Sequence, residues 1–361
     1  MKIGWYFSSE SSPSDELVDK FADSKFGMDR WTSFSREIIQ NSLDACDDES
    51  QPVEVFFDLN KSLTIHDIPG ATYTRYVLER CANQATNRQT KQAYQKGLEI
   101  LDRPYIYCLK VSDRNTKGVK TGRDEAWGAF VYDEGRSVKQ RPGSAGSHGV
   151  GKKVPFIIST CNTVFYATKN KYEIDGIEHS DRLFQGKTML INWEDEQGQG
   201  KSPKGWFGVR NEEDVDRKKR ILPIQNEGMQ EIHPYFIRED AYGTDVIIVG
   251  VNAYGIEEQI QKTIISSIYE NFFIAIKEQK LKVTVLGIEI HSGNMDRIFQ
   301  AYYEPTGALK NSMNDLLRIY AQEPVVLPIK YYSEEIGHVG CILKLRAKRT
   351  KNIIPLSVIT V

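Results

Sequence analysis

Glu37, Asn41 and Asp44 stand at i, i+4 and i+7 in the run Arg36–Ala45. That spacing sets three polar side chains on one face of a helix. A carboxylate there can orient and deprotonate a water. An amide oxygen one turn on can ligate Mg²⁺, a hard cation that prefers oxygen donors. Ile39, Leu43 and Cys46 repeat the spacing about 200° around the axis, which gives the helix an apolar side to bury. Stripes of this kind also occur on plain solvated helices, so a site needs further residues.

Two other segments supply them. Asp113 closes the run Tyr105–Ser112 and is followed by Arg114-Asn115-Thr116-Lys117-Gly118. An Asp at a strand end is commonly a turn former. In a site it accepts a hydrogen bond from an exocyclic amine such as that of adenine, and Gly118 would let the backbone pass close to a ligand. Gly143, Gly146, Gly149 and Gly151, followed by Lys152 and Lys153, can present several backbone N–H groups to phosphates. From Gly146 the run also has G-x-x-x-x-G-K spacing. Lys153 stands where a P-loop needs a Ser or Thr hydroxyl for Mg²⁺, and Asp133–Pro142 is too polar to be the buried strand such a loop leaves.

The elements that must hold these residues follow from periodicity. A polar arm leads into a helix over Trp31–Asp47. Strands are expected at Val53–Leu59, Ser62–His66, Tyr105–Ser112, Thr163–Ala167, Thr188–Trp193 and Thr244–Val249, with Tyr73–Leu101 helical and Val154–Ser159 apolar. Ile260, Ile264, Ile268 and Phe272 make one stripe of a helix over Glu257–Glu278, before a strand over Leu281–Ile290. Two more strands, Gly337–Leu345 and Ile353–Val361, flank a basic turn. The change of pattern places a domain boundary near residue 252, giving domains 1–251 and 252–361.

The bulk numbers restrict the classes. With 361 residues, 40% hydrophobic and 27% charged, the chain suits a globular protein with a sizeable core, and a net charge of -2 gives no bulk attraction to polyanions. The basic runs Arg217–Arg220 and Arg346–Lys351 are candidate DNA contacts that read better as solvated turns. Five scattered cysteines without a CxxC pair and six histidines without metal spacing point away from zinc and disulfides. The amino terminus turns polar after seven residues, too soon for a signal peptide, and no uncharged apolar run has membrane-spanning length. The expected location is the cytoplasm.

Taken in order, the segments resemble the gyrase/Hsp90/histidine-kinase/MutL (GHKL) ATPase superfamily. Glu37–Ala45 matches its E-x-x-x-N-S-x-D-A box at each specified position. Asp113–Gly118 is similar to its D-x-G-x-G box but is one residue longer, with Asn115-Thr116 where a glycine is usual. Gly146-x-x-Gly149-x-Gly151 matches its G-x-x-G-x-G box, and Gly243-Thr244-Asp245-Val246 is similar to its last strand. Asp67-Ile-Pro-Gly70 imitates the second box but lacks the second glycine. The resemblance covers about residues 20–250.

The resemblance implies a two-layer α/β sandwich, with ATP under a lid from Lys117 to about Gly149 and a helical insertion at 72–101. A smaller α+β, transducer-like domain would follow. It implies Glu37 as general base, Asn41 as the Mg²⁺ ligand and Asp113 as the adenine anchor. Asp44, Asn115, Gly118, Gly146, Gly149, Val150, Gly151, Lys152 and Thr244 complete the nucleotide site. The implied activity is Mg²⁺-dependent ATP hydrolysis by a switch that dimerises on ATP, in DNA maintenance or genome defence, with a protein or DNA partner. A protein kinase of the histidine-kinase branch and a nucleotide-gated binding module are the rivals. The chain ends within the apolar run Ile353–Val361, with no basic residue after Lys351. Lys330 is then the candidate cation for the γ-phosphate, and slow turnover is expected unless a partner or a further segment supplies that charge.

Overall fold

The computed structural model describes residues 2–9, 29–119, 154–174, 176–210, 221–239, 241–303, 325–331, 334–342 and 357–360. In chain order its first strands are β1 (Ile3–Ser9), β2 (Val53–Leu63), β3 (Ile106–Arg114), β4 (Thr163–Lys169), β5 (Tyr172–Ile174), β6 (Ile177–His179), β7 (Arg182–Met189) and β8 (Trp193–Glu194). They are followed by β9 (Gly200–Arg210), β10 (Ile221–Leu222), β11 (Ile224–Gln225), β12 (Gly243–Val249), β13 (Leu281–Val285), β14 (Ile288–Ile290), β15 (Val325–Tyr331), β16 (Glu334–Ile342) and β17 (Ser357–Thr360). The helices are α1 (Asp29–Asp44), α2 (Ala71–Gln84), α3 (Arg88–Leu101), α4 (Val154–Ile158), α5 (Glu257–Lys277) and α6 (Met295–Tyr302).

A mixed sheet of 12 strands runs in the order β1-β9-β7-β4-β12-β3-β2-β13-β14, with β8, β10 and β11 attached at its side. Neighbours along that path are antiparallel except β13, which lies parallel to β2. The central strands are buried on both faces, and their alternation sorts the core into two layers. Val246 and Ile248 of β12, with Val164 and Tyr166 of β4, join α1, α4 and α5. Ile247 and Val249, with Phe165 and Ala167, join α2 and α3. The sheet therefore carries helices on both faces, where a two-layer sandwich was expected. The segment 72–101 makes the difference: Val77, Leu78, Cys81, Tyr94, Ile100 and Leu101 bury against the second face.

Several expected boundaries move for local reasons. The single helix over Tyr73–Leu101 is two helices, because the Asn87 side chain accepts from Gln89 N at 2.7 Å and starts a new one. The two strands at Val53–Leu59 and Ser62–His66 are one strand, β2, with a register shift between Asn60 and Leu63. Leu281–Ile290 is a hairpin, since Leu286 and Gly287 take φ of 47° and 88°. The strand expected at Thr188–Trp193 shares only Thr188 and Met189 with β7, which begins at Arg182, and its last residue, Trp193, begins β8. The start of the chain, read as a polar arm, contributes the edge strand β1, which pairs with β9.

The boundary placed near residue 252 falls inside a continuous sheet and core. Beyond it, α5 packs with α1 in one apolar cluster, Ser35 Oγ donates to Ser267 Oγ at 2.9 Å, and β13 adds to β2. A separate sheet, β15-β16-β17, comprises strands from residue 325 onward. No helix among the described residues is long and apolar enough to cross a membrane.

Candidate functional site

Asp113 is the second-last residue of β3, on the same side of that strand as Leu109 and Val111, which face α1. It is buried, and its carboxylate draws three donors among the described residues, from three separate parts of the chain. Thr116 Oγ1 donates to Oδ1 at 2.6 Å and the Thr244 main-chain N–H donates to the same oxygen at 2.7 Å. Ser42 Oγ, on α1, donates to Oδ2 at 3.1 Å. The helix of the first motif, the strand end of the second and the start of the last strand thus meet on one carboxylate. Burial pushes the Asp113 carboxyl above its ordinary pKa; Thr116, the Thr244 N–H, the Arg238 charge and Ser42 pull it back down.

Close backbone approach makes this meeting possible. Gly243 has φ of 137°, and a Cβ there would lie 2.5 Å from Asp113 Oδ1. No side chain fits between β12 and the carboxylate. Arg238, itself buried, knits the same corner: Nε donates to Ala241 O at 2.7 Å and Nη2 to Tyr242 O at 3.0 Å. Nη2 also donates to the main-chain oxygen of Asp113, and Nη1 pairs with the Asp245 carboxylate.

On α1, Glu37 is half-buried while Asn41 and Asp44 are exposed. Asp44 accepts from Gln40 Nε2 at 2.9 Å. The helix ends at Asp44, not Asp47, because the chain turns to join the end of β3: Asp47 N donates to Asn115 O at 3.0 Å and Lys117 N to Ala45 O at 3.0 Å. Asn115 clamps this junction. At φ of 57° it sits in the left-handed region that Asn tolerates, and its Nδ2 donates to Asp48 O at 2.8 Å and Gln51 O at 2.9 Å. Its Oδ1 accepts from Asp48 N at 3.1 Å.

Two expectations change as a result. The Asn115 amide, read as a nucleotide contact, is committed to the main chain of the 48–52 loop. Gly118, read as making room for a ligand, makes room for β4: a Cβ there would lie 2.6 Å from Lys169 O. Val119, in the segment expected to begin a lid, is tied down as well, since its N donates to Thr168 Oγ1 at 3.0 Å and its O accepts from Asn170 Nδ2 at 2.8 Å. Gly146, Gly149, Val150, Gly151 and Lys152 lie outside the described residues, as do the basic runs 217–220 and 346–351. Lys330 lies in β15, paired in register with Glu335, in the separate three-stranded sheet.

Asp67, the imitation of the second box, accepts from Thr64 N at 2.8 Å and Thr64 Oγ1 at 2.7 Å, which closes the turn before α2 and holds its carboxyl below the ordinary pKa. A shallow, mostly apolar depression beside Trp5, Phe7, Tyr73 and Leu190 has no room for a water and offers no such chemistry. Sequence reasoning passed over Ser42, Thr116 and Arg238 as site residues. Ser42 stands seven residues after Ser35 on the buried stripe of α1, and Thr116 follows Asp113 at i+3, a spacing typical of local hydroxyl–carboxylate turns. Nothing in the sequence singles out Arg238. No protein-family model and no curated protein matches this sequence.

Proposed function

We propose that this chain binds ATP in the manner of the GHKL superfamily and is a slow, Mg²⁺-dependent ATPase that works as a dimerising switch. The observation that supports this most is the convergence of Ser42, Thr116 and the Thr244 N–H on buried Asp113. An ionised carboxylate only accepts hydrogen bonds, with room for about two on each oxygen. Among the described residues Oδ1 takes two and Oδ2 takes one, so the group suits a ligand that donates, as the adenine amine does.

The remaining roles follow from position on α1. Glu37 orients a water and takes its proton. Asn41, one turn on and exposed, offers its amide oxygen to Mg²⁺. Mg²⁺, when bound, neutralises charge on the phosphate oxygens. The glycine-rich run ending at Lys152 would cradle those phosphates, and Lys330 remains the candidate cation for the last of them. An intact Glu37 favours turnover over a pure binding module, which has no use for a base.

Equilibrium binding of a fluorescent ATP analogue with Mg²⁺ tests the reading. Wild type and Asp67→Asn should bind alike. Asp113→Asn should lose the nucleotide, because its new amide meets the adenine amine donor to donor. The reverse pattern, or binding by none of the three, would overturn the assignment.

A further inference from the structure

Arg238 reaches the corner from behind the carboxylate. A Cβ on Gly243 would lie 2.5 Å from Arg238 Nη2 and 2.5 Å from Asp113 Oδ1, so those two atoms are within about 5 Å of each other with only a glycine between. The guanidinium grips the Asp113 main-chain oxygen and pairs with the Asp245 carboxylate, and none of its hydrogen bonds goes to the Asp113 carboxylate. Oδ2, which takes one hydrogen bond among the described residues, keeps room for a further donor while a fixed positive charge stands beside the carboxylate. The other groups on that carboxylate, Ser42, Thr116 and the Thr244 N–H, are uncharged. Asp245 lies across the guanidinium, and Lys110 stands near Asp245.

We propose, on the ATP reading above, that Arg238 is a positioning residue that sets the base selectivity of the site, by fixing the Asp113 main chain and keeping its carboxylate acceptor-only. The chemistry is a matter of one proton. As an acceptor, Asp113 matches the amine of adenine and repels the carbonyl that guanine presents at the same edge. Once protonated it can donate to that carbonyl, and the distinction narrows. Burial drives the carboxyl towards the protonated form, and Arg238 opposes it.

The test measures ATP and GTP binding to the wild type, Arg238→Met and Arg238→Lys between pH 5 and 8, beside a ¹³C-NMR titration of the Asp113 carboxyl without nucleotide. In Arg238→Met, ATP affinity at pH 7 and the ATP:GTP preference should each fall about tenfold or more, the size of one hydrogen bond to a charged group. The Asp113 titration should move to higher pH. Arg238→Lys keeps the charge but not the fork, so it should restore the titration and only part of the affinity. If Arg238→Met leaves Asp245 charged, buried and unfolding the protein, Arg238→Met/Asp245→Leu takes its place under the same criteria. An unchanged ATP:GTP ratio with an unchanged Asp113 titration would overturn the role of Arg238 alone, as would a wild type that binds both nucleotides equally. A wild type that binds neither would instead remove the ATP reading on which it rests.

Discussion

At the scale of single residues, the candidate site is a division of labour along α1. Ser42 turns inward to Asp113, while Glu37 and Asn41 sit on the stripe that leaves the core, half-buried and exposed. On the proposed ATP reading, the inward residue shapes the base pocket and the outward pair serves the phosphates, so the two tasks should separate by mutation. Glu37→Ala is expected to keep ATP affinity and lower steady-state turnover by roughly 10²–10⁴, the range for losing a general base; phosphate release at the wild-type rate would remove Glu37 from the mechanism. Asn41→Ala should weaken ATP binding in Mg²⁺ and change little in EDTA, which calorimetry in the two buffers will show. The stripe itself was legible from spacing alone. Arg238 was not, because three of its four partners are main-chain oxygens, of residues 113, 241 and 242, which leave no pattern in a sequence, and a single Asp245 seven residues on is too common a spacing to mark it.

At the scale of elements, sequence periodicity located α1, β3, β4, β12 and α5 to within a few residues. All five combine strong apolar patterning with burial, and β12 is buried at every position. What periodicity lacked was the third dimension. The apolar stripe of α5 reads equally as the core of a second domain or as a cover for the first, and the packing of α5 on α1 with the parallel pairing of β13 and β2 decides between them. β1, no shorter than β4 or β12, escaped notice because Trp5 is its one buried residue and Ser8 and Ser9 are exposed. The placement of α5 makes a prediction against a boundary at residue 252. A fragment 1–251 lacks Ile260, Ile264, Ile268 and Phe272, all buried in the α1-side cluster. Each such loss costs about 2–5 kcal/mol when a large core side chain is truncated. The fragment should show no cooperative thermal transition by circular dichroism, and a fragment 1–303 should show one. Two matching transitions would restore the boundary.

At the scale of the whole molecule, the proposed role of Asp113 sets function against stability. Its carboxyl titrates above the ordinary value because burial disfavours the charge. The linkage sign follows: stability from this group is fully present below its unfolded pKa and falls as pH rises through the folded one. Asp113→Asn removes that loss and can keep the local contacts, with Oδ1 still accepting from Thr116 and Thr244 and the new amide donating to Ser42. The variant should therefore melt at or above the wild-type temperature at pH 7.5, with the gap closing towards pH 4, while binding no ATP. A variant less stable than wild type at neutral pH and level with it in acid would contradict the argument. The packing of α1 on α5 carries a consequence of another kind, in time. Ser35 and Ser267, which hydrogen-bond across that interface, are 232 residues apart in the chain. At a synthesis rate of about 5–20 residues per second, α1 leaves the ribosome on the order of ten to fifty seconds before the helix that covers it. Trp31, Phe34 and Ile39 stand uncovered on that side for the whole interval. The nascent chain is thus exposed to aggregation, or in need of a chaperone, at the very helix that later holds the candidate catalytic base.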